Sequence, residues 1–273
     1  WADPAPQVAS PETGRVHRRS DRRHKNGAHP VKQPNPEIRS VPLDVLTSEG
    51  SILQTSFWAR FKARFGWTPY AFEAVGAREL APSPFLCLAK HPAPGISLVY
   101  LPHGPEVPEG ALDSEKLSGL AAAIAGEVDG RVDLVRFDLP TEIGEESFAA
   151  VGLEPAPHPI QPPDTVIVDI DATDDDILSR MKSKTRYNVR LAGRKGVSVR
   201  RSDDSELGLF YRLYRITAER DRIAVHSEEY YRDLFAAASG TDVKLVLLVA
   251  EVEGEAVAAN IVAVSGGLGY YLY

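Results

Sequence analysis

One run of the chain, from Arg180 to Lys195, carries seven positive charges and no acidic residue, although the protein has a formal net charge of −7. Closely spaced Lys and Arg side chains repel one another, and a phosphate group bound among them removes that repulsion. The run therefore predicts a site for an anionic ligand. The alternative interpretation is a solvated helix face that binds nothing.

The helices and strands that must position this run are predicted in two similar sets, one after the other in the chain. From Thr55 to Gly66 the pattern predicts a helix with an aromatic core stripe at Phe57, Phe61 and Phe65. Strand-like runs follow at 71–75, 85–90, 96–101 and 132–137, with a helix at 114–128 before the last of them. This alternation indicates a layered α/β structure.

The proline-rich segment 154–163 is typical of a domain boundary, and the pattern restarts after it. We predict a strand at 165–170, a helix starting at Asp174 and helices at about 205–219 and 228–238. An antiparallel meander follows: 243–252, 257–264 and 268–273. Because the chain stops inside the third strand, we expect more protein to follow it.

Residues 1–40 differ from the rest, because they carry a net charge of +4, six prolines and almost no aliphatic periodicity. Such a composition predicts a disordered tail. Its histidines have no regular ligand spacing, and no metal site is expected. The predicted organisation is a tail at 1–40, a first domain at 41–163 and a second at 164–273. The only methionine is Met181, so we expect a fragment or a processed form.

The single cysteine, Cys87, excludes an internal disulfide, and its apolar neighbours favour a buried strand position. No apolar run reaches the roughly 20 residues that span a bilayer. The sequence offers no Ser-His-Asp or Cys-His arrangement, so we nominate no covalent nucleophile and leave the catalytic residues unknown.

Four ordered pieces resemble the FemABX family of aminoacyl-tRNA-dependent peptidyltransferases, over about residues 41–273. The pieces are Leu53–Trp67, with a Gln-x-x-x-Trp pattern; Tyr-Leu-Pro-His-Gly-Pro at 100–105; the basic run at 182–197; and 210–221 with Tyr230 and Tyr231. The resemblance implies an α/β (α+β) fold of tandem GCN5-related N-acyltransferase-like domains, of which the second is incomplete here. His103 stands where many relatives carry a basic residue.

The activity that the resemblance implies is aminoacyl transfer to the stem peptide of a lipid-linked or UDP-linked peptidoglycan precursor. The donor is an aminoacyl-tRNA, so no further cofactor is expected, and the acceptor is lipid II or a UDP-MurNAc-pentapeptide. We expect a cytoplasmic enzyme in peripheral contact with the inner membrane face. The reaction is ester aminolysis, in which positioning supplies much of the acceleration.

The resemblance also implies site residues. A lysine that matches Lys62 and an arginine of the basic run, Arg186 or Arg190, bind the diphosphate of the precursor. Lys62 follows Trp58 by four residues, so its stem is expected on aromatic surface with the ammonium group reaching outward. Three tyrosines are expected to line the cleft between the domains: Tyr100, Tyr214 and Tyr230. Their alternative role is packing. His103 and Asp221 are weaker candidates.

Two other functions stay open on the residues alone. An acyl-CoA-dependent N-acyltransferase would hold the CoA pyrophosphate on a Gln/Arg-x-x-Gly-x-Gly/Ala loop at a helix start, and residues 41–273 contain no such loop. A non-catalytic module that binds RNA or anionic lipid would need only the basic segments, and its affinity would fall steeply with salt.

Overall fold

The structure, a computed structural model, describes residues 35–47, 50–76, 83–107, 110, 112–140, 148–162 and 164–273. Its first sheet has five strands in sequential order. They are β1 (Glu37–Val41), β2 (Thr68–Val75), β3 (Phe85–Ala93), β4 (Ile96–Pro102) and β5 (Leu134–Asp138). The first four pair antiparallel, whereas β5 lies parallel to β4. This parallel pair needs a crossover, which helix α2 (Ser114–Glu127) provides.

Helix α1 (Ser56–Ala63) lies between β1 and β2 in the chain and begins at a Thr55 cap, whose hydroxyl accepts from the Trp58 backbone N–H at 3.3 Å. Short 3₁₀ turns at Leu43–Val45 and Ile52–Gln54 precede it. Two of the three residues of the predicted aromatic stripe are fully buried. Phe57 and Phe61 are fully buried, whereas Phe65 is only partly buried beside them.

The second sheet has four antiparallel strands in the order β6 (Ser198–Ser202), β7 (Lys244–Val252), β8 (Glu255–Ser265) and β9 (Leu268–Tyr271). Helices α3 (Asp174–Arg180) and α4 (Ser183–Arg194) precede β6. Helices α5 (Leu207–Asp221) and α6 (Glu228–Ala238) connect β6 to β7. The predicted meander is confirmed, and β6 extends it by one strand.

One apolar core joins the two sheets. It contains Phe57 and Phe61 of α1 together with Phe210 of α5, Tyr231 of α6 and Leu247 of β7. A second cluster, between the first sheet and α2, includes the predicted buried Cys87. Polar contacts across the same boundary include an ion pair between Arg64 and Asp233 and a 3.4 Å hydrogen bond from Arg60 to the Ser239 carbonyl.

Two boundaries differ from the sequence predictions. Strand β1 begins at Glu37, inside the segment assigned to the tail, because residues 37–41 pair with 71–75. Residues 1–34 lie outside the described residues. The predicted strand at 165–170 is wrong: the segment takes no part in either sheet, and its aliphatic side chains are exposed. A strand-forming composition forms no ladder without a neighbouring edge.

The predicted α/β class is confirmed by these two sheets and their helices. The division into acyltransferase-like domains with boundaries at 41, 163 and 273 stays a prediction. Within the described ranges, none of the helices combines the length and apolar character needed to cross a membrane.

Candidate functional site

Lys62 lies in an aromatic environment at the end of α1. The residue is 4 % exposed, and its ammonium nitrogen lies 5.4 Å from the centre of the Trp58 ring and 5.8 Å from that of Trp67. The ammonium group itself lies near the two rings, and the residue is buried instead of reaching outward as predicted. Ring faces stabilise a cation at these distances, more strongly where water is excluded.

A second ammonium group, on Lys90 of β3, lies 5.0 Å from the centre of the same Trp67 ring and donates to the Phe65 carbonyl at 3.2 Å. The two nitrogens are therefore both within 6 Å of one ring centre. The sequence analysis missed Lys90. Nothing in the local sequence marks it, because only the pairing of β2 with β3 brings it to Trp67.

Tyr100 of β4 belongs to a polar network at the carboxyl ends of the parallel strands. Its hydroxyl donates to Asp138 at 2.7 Å and accepts from the Gln161 amide at 3.2 Å. Arg136 donates to the other Asp138 oxygen at 3.3 Å. Burial raises the pKa of Tyr100, so its hydroxyl stays protonated at neutral pH. Asp138 and Gln161 were not identified from the sequence.

Tyr230 and Tyr214 both pack against other aromatic rings. The Tyr230 ring packs edge-on against Phe61 with centres 4.9 Å apart, and its hydroxyl lies 3.2 Å from that of Tyr273. Tyr214 stacks on Phe210 with centres 5.4 Å apart. Asp221, the weaker candidate, pairs with the adjacent Arg220 on an exposed surface.

An aromatic path connects these residues. Tyr230 contacts Phe61, Phe61 contacts Trp58, and Lys62 links Trp58 to Trp67, whose ring centre is 6.1 Å from that of Tyr100. The structure thus brings Lys62, Tyr100 and Tyr230 to one region between the sheets. Tyr214 joins it indirectly, through Tyr231.

The two arginine candidates of the basic run have different surroundings. Arg186 is half-buried, and its guanidinium donates to the carbonyls of Leu178, Ser179 and Met181 at 3.0–3.2 Å. These groups lie in the last turn of α3, where the Leu178 carbonyl also accepts from the Met181 N–H at 3.2 Å. Arg190, one turn further along α4, is exposed, and no partner for it is found in the part of the chain that the structure describes.

His103 follows β4 in a left-handed backbone conformation, with φ of 47°. Its Nδ1 atom lies 3.3 Å from the Ser51 hydroxyl. Burial lowers the pKa of His103, although Asp138 and Glu106 oppose that shift. The side chain is therefore neutral near pH 7.

A surface cavity of about 500 Å³ lies elsewhere, beside β6 and the turn between β7 and β8. Its charged lining residues include Arg200, Glu206 and Glu251, which bind one another. These three side chains pair internally, whereas Arg212 and Glu255 place one charge of each sign on the same lining. Among the described residues, no cluster of His, Cys, Asp or Glu is suited to hold a metal ion.

The fold and this region define an α/β protein with a cationic, aromatic-lined site between two sheets. Residues 148–261 match the FemAB family. The lipid II:glycine glycyltransferases of Staphylococcus aureus strains MRSA252 and NCTC 8325 are each 29% identical over 199 residues, which cover 69% of this chain and 47% of theirs. The chain therefore spans about half the length of those relatives.

A crystal structure of FemX shares the fold, with a TM-score of 0.63 and 24% sequence identity over 79% of this chain and 58% of the other. These matches confirm the resemblance to the FemABX family that the ordered motifs indicate.

Proposed function

We propose that this protein transfers an aminoacyl group from an aminoacyl-tRNA to the stem peptide of a lipid-linked or UDP-linked peptidoglycan precursor. The observation that carries the proposal is the match over 199 residues to proteins named lipid II:glycine glycyltransferase. The precursor and the tRNA donor both contain phosphates, which suits a site with buried and exposed cations.

The arrangement fits a reaction that depends on positioning. An aminoacyl ester is already activated, so the protein must bring a neutral amine to it and accept a proton afterwards. Lys62 and Lys90 supply positive charge beside Trp67, and the neutral His103 lies at the end of β4. No residue is assigned as the proton acceptor.

The surroundings of Arg186 and Arg190 favour one of these two arginines as the ligand of the diphosphate. Arg186 already donates to three carbonyls at the end of α3, and moving it to a ligand would break those three hydrogen bonds. Arg190 makes no such contacts within the described ranges. We therefore assign Lys62 and Arg190 to the diphosphate, with Arg186 as the residue that connects α3 to α4.

The decisive experiment is a transfer assay with two donors. Lipid II and a UDP-linked muramyl-pentapeptide are each incubated with the protein and either labelled aminoacyl-tRNA or labelled acetyl-CoA. We expect label in the peptide only with the charged tRNA, and none after ribonuclease digestion of the donor. Saturable transfer from acetyl-CoA would overturn the proposal in favour of the acyl-CoA enzyme. Salt-sensitive tRNA binding without transfer to either acceptor would favour the binding module.

A further inference from the structure

The buried side-chain amide of Gln54 forms hydrogen bonds to two neighbouring strands of the first sheet. The residue is 7 % exposed and ends the 3₁₀ turn before α1. Its side-chain oxygen accepts from the Leu86 backbone N–H at 2.7 Å, and its nitrogen donates to the Pro102 carbonyl at 2.6 Å and, more weakly, to the Leu86 carbonyl at 3.4 Å. The carboxamide therefore connects β3 to the last residue of β4.

Gly104 lies against this same carboxamide. A Cβ atom at position 104 would be 2.4 Å from the Gln54 nitrogen and 2.6 Å from its carboxamide carbon. The Gln54 side chain cannot simply move aside, because a shift would break its bonds to Leu86 and Pro102 in a buried place. The bound position of the Gln54 side chain therefore requires glycine at position 104.

The segment that this pair fixes leads into the candidate site. His103, Gly104 and Pro105 follow Pro102, the last residue of β4, and the Gly104 N–H donates to the Asp138 carbonyl at 3.2 Å. The Asp138 carboxylate binds Tyr100. His103 holds its left-handed conformation between these two anchored neighbours. Displacing Gln54 or Gly104 would thus move His103 relative to Tyr100.

We propose that Gln54 and Gly104 form a lock that positions the segment 102–105 for acceptor binding, with Gln54 acting as a positioning residue. The proposal rests on the function proposed above, because it takes the precursor as the ligand of this region. It assigns a role to the glutamine of the Gln-x-x-x-Trp pattern and explains why a glycine precedes Pro105.

The test is a double-mutant cycle on acceptor affinity, measured by calorimetry with a UDP-linked muramyl-pentapeptide. We expect Gln54→Ala and Gly104→Ala each to weaken binding roughly tenfold. The double variant should bind no worse than Gln54→Ala alone, since the shortened side chain leaves room for the new methyl group. Gln54→Ser also shortens the side chain and replaces Gln54→Ala in the cycle if that variant does not fold.

Leu120→Ala is the control, because Leu120 is fully buried in helix α2 and lies outside the segment 102–105. It should lower the melting temperature without changing acceptor affinity. Affinity losses that simply multiply in the double variant, unchanged binding in both single variants, or an equal loss in Leu120→Ala would each overturn the lock. Wild-type protein that binds no precursor would instead contradict the proposed function.

Discussion

Two regions of this protein have similar local sequence signals but very different packing. In residues 37–138, the aromatic side chains of α1 are buried between sheets and helices. In residues 164–194, Val166 is 85 % exposed, Ile167 is 80 % exposed and Tyr187 is 57 % exposed, and α3 and α4 bury no residue completely. The second region is held mainly by caps and surface polar contacts.

The difference separates what a segment determines locally from what its neighbours determine. Helix α3 starts at a Thr173 cap, with three aspartates in its first turn, and ends where Arg186 binds its carbonyls. These contacts lie close in sequence and need no distant partner. A strand at 165–170 would need a sheet edge, and none of the described strands pairs with it.

The largest expected difference between the two regions is in how much a substitution lowers the free energy of unfolding. Phe61→Ala removes a fully buried ring that contacts Trp58, Phe65 and Tyr230, and should lower the free energy of unfolding by about 3–5 kcal/mol. Ile167→Ala should change it by less than about 0.5 kcal/mol. Urea titrations followed by circular dichroism measure both. A large loss in Ile167→Ala would show that 164–170 is packed in solution.

The same contrast explains how far the sequence could predict this protein. Local periodicity and turns predict the helical spacing of Phe57 and Phe61, which are four residues apart. They also predict the boundaries of α6 and the meander from β7 to β9. The error at 165–170 arose because composition gives strand propensity but no pairing partner. Lys90, Asp138 and Gln161 were missed for a related reason. Each joins the site through strand pairing or a long connection, which residue spacing does not reveal.

A smaller effect should separate the two candidate arginines of α4, Arg186 and Arg190. Arg190→Ala, and Lys62→Met in the first region, should each weaken binding of a UDP-linked muramyl-pentapeptide by roughly 10- to 150-fold, the value of about 1.5–3 kcal/mol for a charge-assisted contact. Their combined effect should be non-additive, because both contact one diphosphate. Calorimetry measures these affinities.

Arg186→Ala is the informative comparison within the same helix. It should leave the affinity for the precursor within a few-fold of wild type and instead increase amide hydrogen exchange at the end of α3, whose carbonyls lose their donor. Arg194→Ala serves as the control for removing one positive charge from α4. If Arg186→Ala abolishes binding while Arg190→Ala does not, the assignment of the two arginines is reversed.

The smallest expected effect concerns the ion pair between Arg200 and Glu206, which lies just after residues 164–194 in the chain. Arg200 of β6 and Ser202 lower the pKa of Glu206 from 4.5 to about 2. A carboxyl group whose pKa is lower in the folded state stabilises that state above its unfolded pKa, and the stabilisation disappears as the pH falls through the folded value. The wild-type advantage over Glu206→Gln should therefore be full above about pH 4.5 and vanish near pH 2.

Unfolding free energies of both proteins between pH 7 and pH 2 test this expectation. Glu154→Gln removes the same charge from an exposed connecting segment and corrects for the change in net charge. Because the Arg200–Glu206 pair is exposed, added salt should reduce the difference between wild type and Glu206→Gln. In the first region, the Gln54 side chain connects two strands through hydrogen bonds of a neutral amide, which does not titrate in this pH range. Parallel pH curves for wild type and Glu206→Gln would show that β6 is held by its ladder with β7 and that the ion pair contributes nothing.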